Sequence, residues 1–136
     1  MASKYRIKKT FHLAYGHRLL DYKGKCENLH GHNGLVEVTL ESGRLNGEKM
    51  VADFTEIGRA MKGWLDDTLD HKVVLAKNDP LAKTLAAAGQ ACYLTDDNPT
   101  AETLARLVYK AAKDLGFPAA EAVFWETPTS MASYSE

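Results

Sequence analysis

Apolar and polar positions alternate with a period of two along residues 5 to 17. Tyr5, Ile7, Phe11, Leu13, Tyr15 and His17 share one parity, and Lys9 is the interruption. Successive strand side chains face opposite ways, so the pattern predicts a half-buried strand whose inward face ends in a histidine. Asp21, Lys23 and Gly24 then mark a loop. The same period returns from about His30 to Glu41, with Val36, Val38 and Leu40 on the parity of His30 and His32. Ser42-Gly43 and Asn46-Gly47 read as turns, and Met50 to Ala52 begins the return of the chain.

The period then becomes helical. Asp53 sits in N-cap position with Glu56 three residues on, as in a capping box. Phe54, Ile57, Met61, Trp64, Leu65 and Leu69 form one apolar stripe, and Asp70-His71 falls where that helix should end. Asp79-Pro80 predicts the start of a short Ala-rich helix stopped by Gly89, and Cys92 to Leu94 fits a short strand. Asn98-Pro99-Thr100 opens a second long helix with Leu104, Leu107, Val108, Ala111 and Leu115 inward, closed by Gly116-Phe117-Pro118. Ala122 to Glu126 and Met131 to Tyr134 alternate again. Strands, then helices, then strands is an α+β order without the βαβ alternation of a doubly wound sheet.

At 136 residues the chain fits one domain, 1–136, able to bury a core. Lys+Arg 17 against Asp+Glu 18 leaves a net charge of −1, which gives no global case for nucleic acid or an anionic membrane. Lys4, Arg6 and Lys8 share one parity and read as the solvated face of the first strand. No apolar run reaches the ~18 residues of a membrane span. Met1-Ala2-Ser3-Lys4 leads into no export-signal core, and with two cysteines, Cys26 and Cys92, the expected location is a reducing cytoplasm.

The chemistry concentrates in Cys26-Glu27-Asn28-Leu29-His30-Gly31-His32. Two histidines two residues apart on a strand point the same way, which offers Zn²⁺ two ligands at once. His17, at the inward end of the neighbouring strand, is the candidate third ligand, whereas His12 falls on the polar parity. Three histidines would leave a fourth coordination position open, as in catalytic zinc. Cys92 reads as a small buried hydrophobe. Cys26 lies in a polar loop beside Lys25, where positive charge favours a thiolate acting as ligand or base. Asp70-His71 is either a polar helix end or a working pair. Glu126 shares its parity with Ala122 and Phe124, so its carboxylate should be partly buried and suited to accept two adjacent N–H groups of a ligand.

Six elements in order carry a family resemblance: Tyr15-Gly16-His17-Arg18-Leu19, Cys26-x-x-x-His30-Gly31-His32, Met50 to Phe54, Leu69-Asp70-His71, Asn98 to Glu102, and Trp125-Glu126-Thr127. Over essentially its whole length the chain resembles the 6-pyruvoyl-tetrahydropterin synthase / 6-carboxytetrahydropterin synthase family. The resemblance implies the tunnelling fold, a four-stranded antiparallel sheet with two main helices on one face between strands 2 and 3. It also implies a homohexamer, in which trimers close their sheets into barrels and two trimers stack.

Carried over residue by residue, the resemblance makes His17, His30 and His32 the zinc ligands and Cys26 the general base. Asp70 and His71 become its proton-transfer partners from a neighbouring subunit. Glu126, helped by Thr127, becomes the anchor of a pterin, with Thr100 and Glu102 at the second-helix entry also assigned to substrate. The implied substrate is 7,8-dihydroneopterin triphosphate, with Arg18, Lys23 and Lys25 the nearest cations in sequence for its phosphates. The three-residue spacing from Cys26 to His30 favours formation of 6-carboxytetrahydropterin, for queuosine-type deazapurines, over 6-pyruvoyl formation. Glu27 keeps open a folate-type cleavage to 6-hydroxymethyl-dihydropterin, alone or as a second activity. A non-catalytic zinc or pterin binder is the reading from another class. A zinc hydrolase is disfavoured by the lack of an H-E-x-x-H helix. Residues 75 to 97 are longer than the simplest relatives carry.

Overall fold

The computed structural model describes residues 3–136. Met1 and Ala2, part of the leading stretch read above for an export signal, lie outside the described residues. Strand β1 runs Tyr5–His17 and β2 His30–Ser42, and a 3-10 turn at Lys25–Glu27 lies in the loop between them. Helix α1 (Phe54–Thr68), β3 (Val73–Ala76), α2 (Leu81–Ala87), β4 (Cys92–Thr95) and α3 (Ala101–Asp114) follow, then β5 (Ala119–Thr127) and β6 (Ser130–Tyr134).

The sheet has six strands in the order β4-β3-β1-β2-β5-β6. Its antiparallel part, β1-β2-β5-β6, is the expected four-stranded sheet, and the connection between its second and third strands carries the helices. The difference lies at one end. β3 pairs parallel with β1 through Gly16 and His17 only, and β4 pairs parallel with β3. Val73-Val74-Leu75 is a short continuous apolar run, buried at Val74 and Leu75. Such a run has no period to separate a strand from a helix fragment, which is how parallel strands covered on both sides read. Met50 to Ala52 forms no strand. There the Asn46 side chain closes a turn by accepting from the Glu48 and Met50 N–H groups.

The helix starts follow their capping residues. The Asp53 carboxylate accepts from the Thr55 N–H at 2.8 Å. The Thr100 hydroxyl accepts from the Thr103 N–H at 3.2 Å; removing such a cap costs about 1 kcal/mol. Gly116, at φ 93, takes the left-handed position that ends α3. Both long helices lie against one sheet face. Phe11, Leu13, Val36, Val38, Leu40 and Phe124 from the strands meet Ile57, Met61, Leu65, Leu104 and Val108 in one core. Each such side chain contributes roughly 1.5–3 kcal/mol by leaving water.

The β1–β2 register turns this core into a site. Tyr15 lies opposite His32 and His17 opposite His30. On the helix-facing side, therefore, the apolar rows of both strands end together in three imidazoles and a phenol.

Candidate active site

Two of the three histidine rings are held through Nδ1. His17 Nδ1 lies 2.8 Å from the Pro99 carbonyl and His30 Nδ1 2.7 Å from the Asn28 carbonyl. A carbonyl only accepts, so these bonds place the proton on Nδ1 and leave Nε2 as a lone-pair donor. The Nε2 atoms of His17 and His32 are buried and have no hydrogen-bond partner. Leaving such an atom unsatisfied costs about 1–3 kcal/mol. One ligand atom from each of His17, His30 and His32 falls within 4.8 Å of the others. The rings are inclined at 56°, 73° and 88° to one another rather than stacked. Burial pushes His17 down to about 4, and burial also lowers His32, so both are neutral at pH 7, as metal ligation requires. Orphaned nitrogens that converge, with outer nitrogens anchored on carbonyls, fit a Zn²⁺ ion. Among the described residues no cysteine or carboxylate is near enough to join the cluster.

Cys26 sits beside this cluster in sequence but on irregular backbone. It is half-buried in the 3-10 turn, and its carbonyl accepts from the Leu19 N–H at 2.8 Å. Glu27 is exposed and lines a cavity of about 590 Å³ together with Arg18, Asp21, Lys23 and Asn28. The loop is held from the far side by Asn98, whose side chain accepts from the Leu20 N–H and donates to the Leu20 carbonyl, each at 2.8 Å.

Arg18 is committed elsewhere. Its guanidinium grips the buried Asp79 carboxylate by two nitrogens, Nε to Oδ2 at 2.8 Å and Nη2 to Oδ1. Asp79 Oδ1 also accepts from the Leu81 N–H at the start of α2. Arg18 is therefore no free cation for a phosphate. It ties the end of β1 to the inserted segment, and it holds the Asp79 carboxyl below the usual carboxylate range.

Asp70 and His71 form a pair at the edge of β1. Asp70 Oδ1 accepts from the Ala14 N–H at 2.9 Å, and Oδ2 lies 3.0 Å from His71 Nδ1. Although burial pushes the Asp70 carboxyl up, the Ala14 N–H and His71 hold it below its ordinary value. His71 adopts φ 59, and its N–H donates to the Ala14 carbonyl at 2.7 Å. Its side chain is 80% exposed, facing outward from the chain.

Glu126 is half-buried at a register irregularity in β5. Its charge acts on both Tyr15 and His32, which places it on the triad's side of the sheet. Thr127 lines a separate hollow of about 320 Å³ with His12, Leu35 and Trp125. Thr100 is occupied as the cap of α3. Glu102 is exposed in that helix's first turn, where its charge complements the helix dipole.

Some of the site goes beyond the sequence reading. The Pro99 carbonyl that orients His17 belongs to a segment read as a helix start and a substrate contact but not as a support for a histidine, and Asp79 to one read only as a cap. Tyr15 was visible as an inward residue, yet its buried hydroxyl, which has no partner, carried no signal in a single sequence.

Comparison with known proteins agrees with this geometry. A sequence model of the family described as 6-pyruvoyl tetrahydropterin synthase matches residues 6–136. The chain is 33% identical to the 6-carboxy-5,6,7,8-tetrahydropterin synthase of Aquifex aeolicus, covering 98% of this chain and 99% of that one. Among solved structures, an uncharacterised Wolinella succinogenes protein superposes with a TM-score of 0.80 at 26% identity, covering 98% of this chain and 99% of that one. The Caenorhabditis elegans 6-pyruvoyl tetrahydropterin synthase shares the fold at a TM-score of 0.74 and 23% identity, covering 98% and 96%. With a histidine triad, a Cys26 turn, an Asp70–His71 pair and a half-buried Glu126 on this fold, the chain belongs to the 6-pyruvoyl tetrahydropterin synthase family of enzymes.

Proposed function

We propose that the protein is a zinc-dependent lyase that converts 7,8-dihydroneopterin triphosphate to 6-carboxy-5,6,7,8-tetrahydropterin, a step toward queuosine-type deazapurines. The observation that carries this reading is the convergence of His17, His30 and His32 with buried, unpartnered nitrogens. The name of the Aquifex relative and the spacing from Cys26 to His30 support the carboxy product. Bound by the three histidines, Zn²⁺ supplies Lewis acidity to the hydroxyls of the substrate side chain. Cys26 is the base that takes a proton, and Asp70 orients His71, which relays it. Glu126 accepts from the 2-amino and N3–H groups of the pterin. With Arg18 paired to Asp79, Lys23 and Lys25 are the remaining loop cations for the triphosphate.

The working form is a closed homo-oligomer, a hexamer by family resemblance. β1 is paired on both sides only near its end, and β6 is the sheet's other antiparallel edge. Joining these edges between subunits leaves neither exposed. The outward His71 beside Ala14 then has a neighbour to serve.

A second reading rests on the 3-10 turn. Cys26 and Glu27 leave extended backbone together there, with Glu27 at the cavity wall, so a carboxylate base could give cleavage to 6-hydroxymethyl-dihydropterin. Incubation of the zinc-loaded protein with 7,8-dihydroneopterin triphosphate separates the readings by product mass. The carboxy product supports the proposal, the hydroxymethyl product the second reading, and no turnover a non-catalytic binder.

A further inference from the structure

Tyr15 is 5% exposed, and its hydroxyl has no hydrogen-bond partner. Its ring lies edge-on to His17 at 5.1 Å and to Phe124 at 5.4 Å, and 5.6 Å from His32. Gly34 makes this possible. A Cβ at Gly34 would come within 3.4 Å of Tyr15 Cε1 and 3.1 Å of the Trp125 carbonyl oxygen. The bare backbone at that position lets the ring lie across β2 toward β5.

On β5 it meets the field of Glu126, whose charge, after burial, is the second influence raising the phenol's pKa. The strand neighbours of Glu126 are engaged, Trp125 with Glu37 and Thr127 with Thr129. Glu126 itself makes no side-chain hydrogen bond among the described residues. A buried donor without an acceptor and a half-buried acceptor without a donor thus stand within electrostatic reach of each other, beside the histidine triad.

A buried hydroxyl without a partner is costly, and a phenylalanine would fill the same space without that cost. A ligand edge that carries donors beside an acceptor satisfies both groups at once. The pterin ring has such an edge: the 2-amino group, N3–H and the 4-oxo oxygen lie side by side.

We propose that Tyr15 is a substrate-contact residue whose hydroxyl donates to the 4-oxo oxygen of the pterin while Glu126 accepts from N3–H and the 2-amino group. This rests on the pterin-lyase reading above. The hydroxyl is sealed in the free chain, so its bond forms as the ligand seats. Together the two residues select a 4-oxo ring, because a 4-amino ring offers a donor where the phenol needs an acceptor.

The test uses the metal-free protein and neopterin as probe, followed by calorimetric titration, with thermal melting of the same samples. Tyr15→Phe should weaken neopterin binding about five-fold, the worth of one neutral hydrogen bond, and should not lower the melting temperature. The preference for neopterin over 2,4-diaminopteridine should fall by a similar factor. Neopterin binding equal to wild type would overturn the inference, as would a lowered melting temperature with both ligands weakened alike, which assigns the hydroxyl to packing. If wild-type protein binds no neopterin while Tyr15→Phe melts normally, the pterin reading fails and takes this inference with it.

Discussion

The histidine triad and the proposed proton-transfer residues occupy neighbouring parts of the molecule but are built differently. His17, His30 and His32 stand on a β1–β2 ladder paired without a break from Tyr5↔Ser42 to His17↔His30. Their rings inherit their direction from strand parity, and backbone carbonyls fix two of them. Cys26, Glu27, Asp70 and His71 come instead from a 3-10 turn and from a helix exit that passes through the left-handed region at His71. A metal needs several donors fixed relative to one another, which a ladder provides. A proton relay needs groups that reach a substrate from different sides, and irregular backbone can present them where a ladder would hold them all on one face.

The largest expected effect lies on the ladder. His30→Ala should abolish stoichiometric zinc and turnover together, whereas His12→Ala, on the other strand face, should leave both unchanged; metal analysis of purified protein alongside activity decides this. On the irregular side, Cys26→Ala should retain zinc while losing activity by about 10²–10⁴, the usual worth of a general base. Zinc lost with Cys26 would erase the distinction between the two regions. If the site is shared, mixing Cys26→Ala with Asp70→Ala subunits should restore part of the activity that each lacks alone.

Much of this division was legible in the sequence, for a physical reason. Period-two patterning reports which face a strand residue occupies, so the inward placement of His17, His30 and His32 followed from the same rows as Val36 and Leu40. β3 was not legible, because the Val73–Leu75 run has no polar phase. Nor was the Arg18–Asp79 pair, since a tie across 61 positions leaves no local pattern. Arg18 read as a phosphate cation only because it lies near the site motifs in sequence; a buried carboxylate from the insertion claims it.

That tie gives a stability prediction. The folded Asp79 carboxyl titrates below its ordinary value, near 3.9 in model peptides. The pair's contribution is therefore fully present above that value and is lost as pH falls through the lowered one. Asp79→Asn should cost about 1.5–3 kcal/mol at pH 7, as for a hydrogen bond to a charged group. The deficit against wild type should shrink as the pH falls through the lowered value of the Asp79 carboxyl.

The smallest expected effect concerns Glu27. Under the second reading, Glu27→Ala removes hydroxymethyl product and leaves the carboxy product. A change within about twofold in rate and product ratio, near 0.4 kcal/mol in the barrier, would leave Glu27 as a solvated loop carboxylate.

X-ray absorption at the zinc edge of the loaded protein examines the division between the two regions most directly. Three imidazole nitrogens and one oxygen donor at about 2.0–2.2 Å, with no sulfur, are expected if the histidines hold the metal and Cys26 is free to act as base. A sulfur scatterer at about 2.3 Å would make Cys26 a ligand and contradict the account.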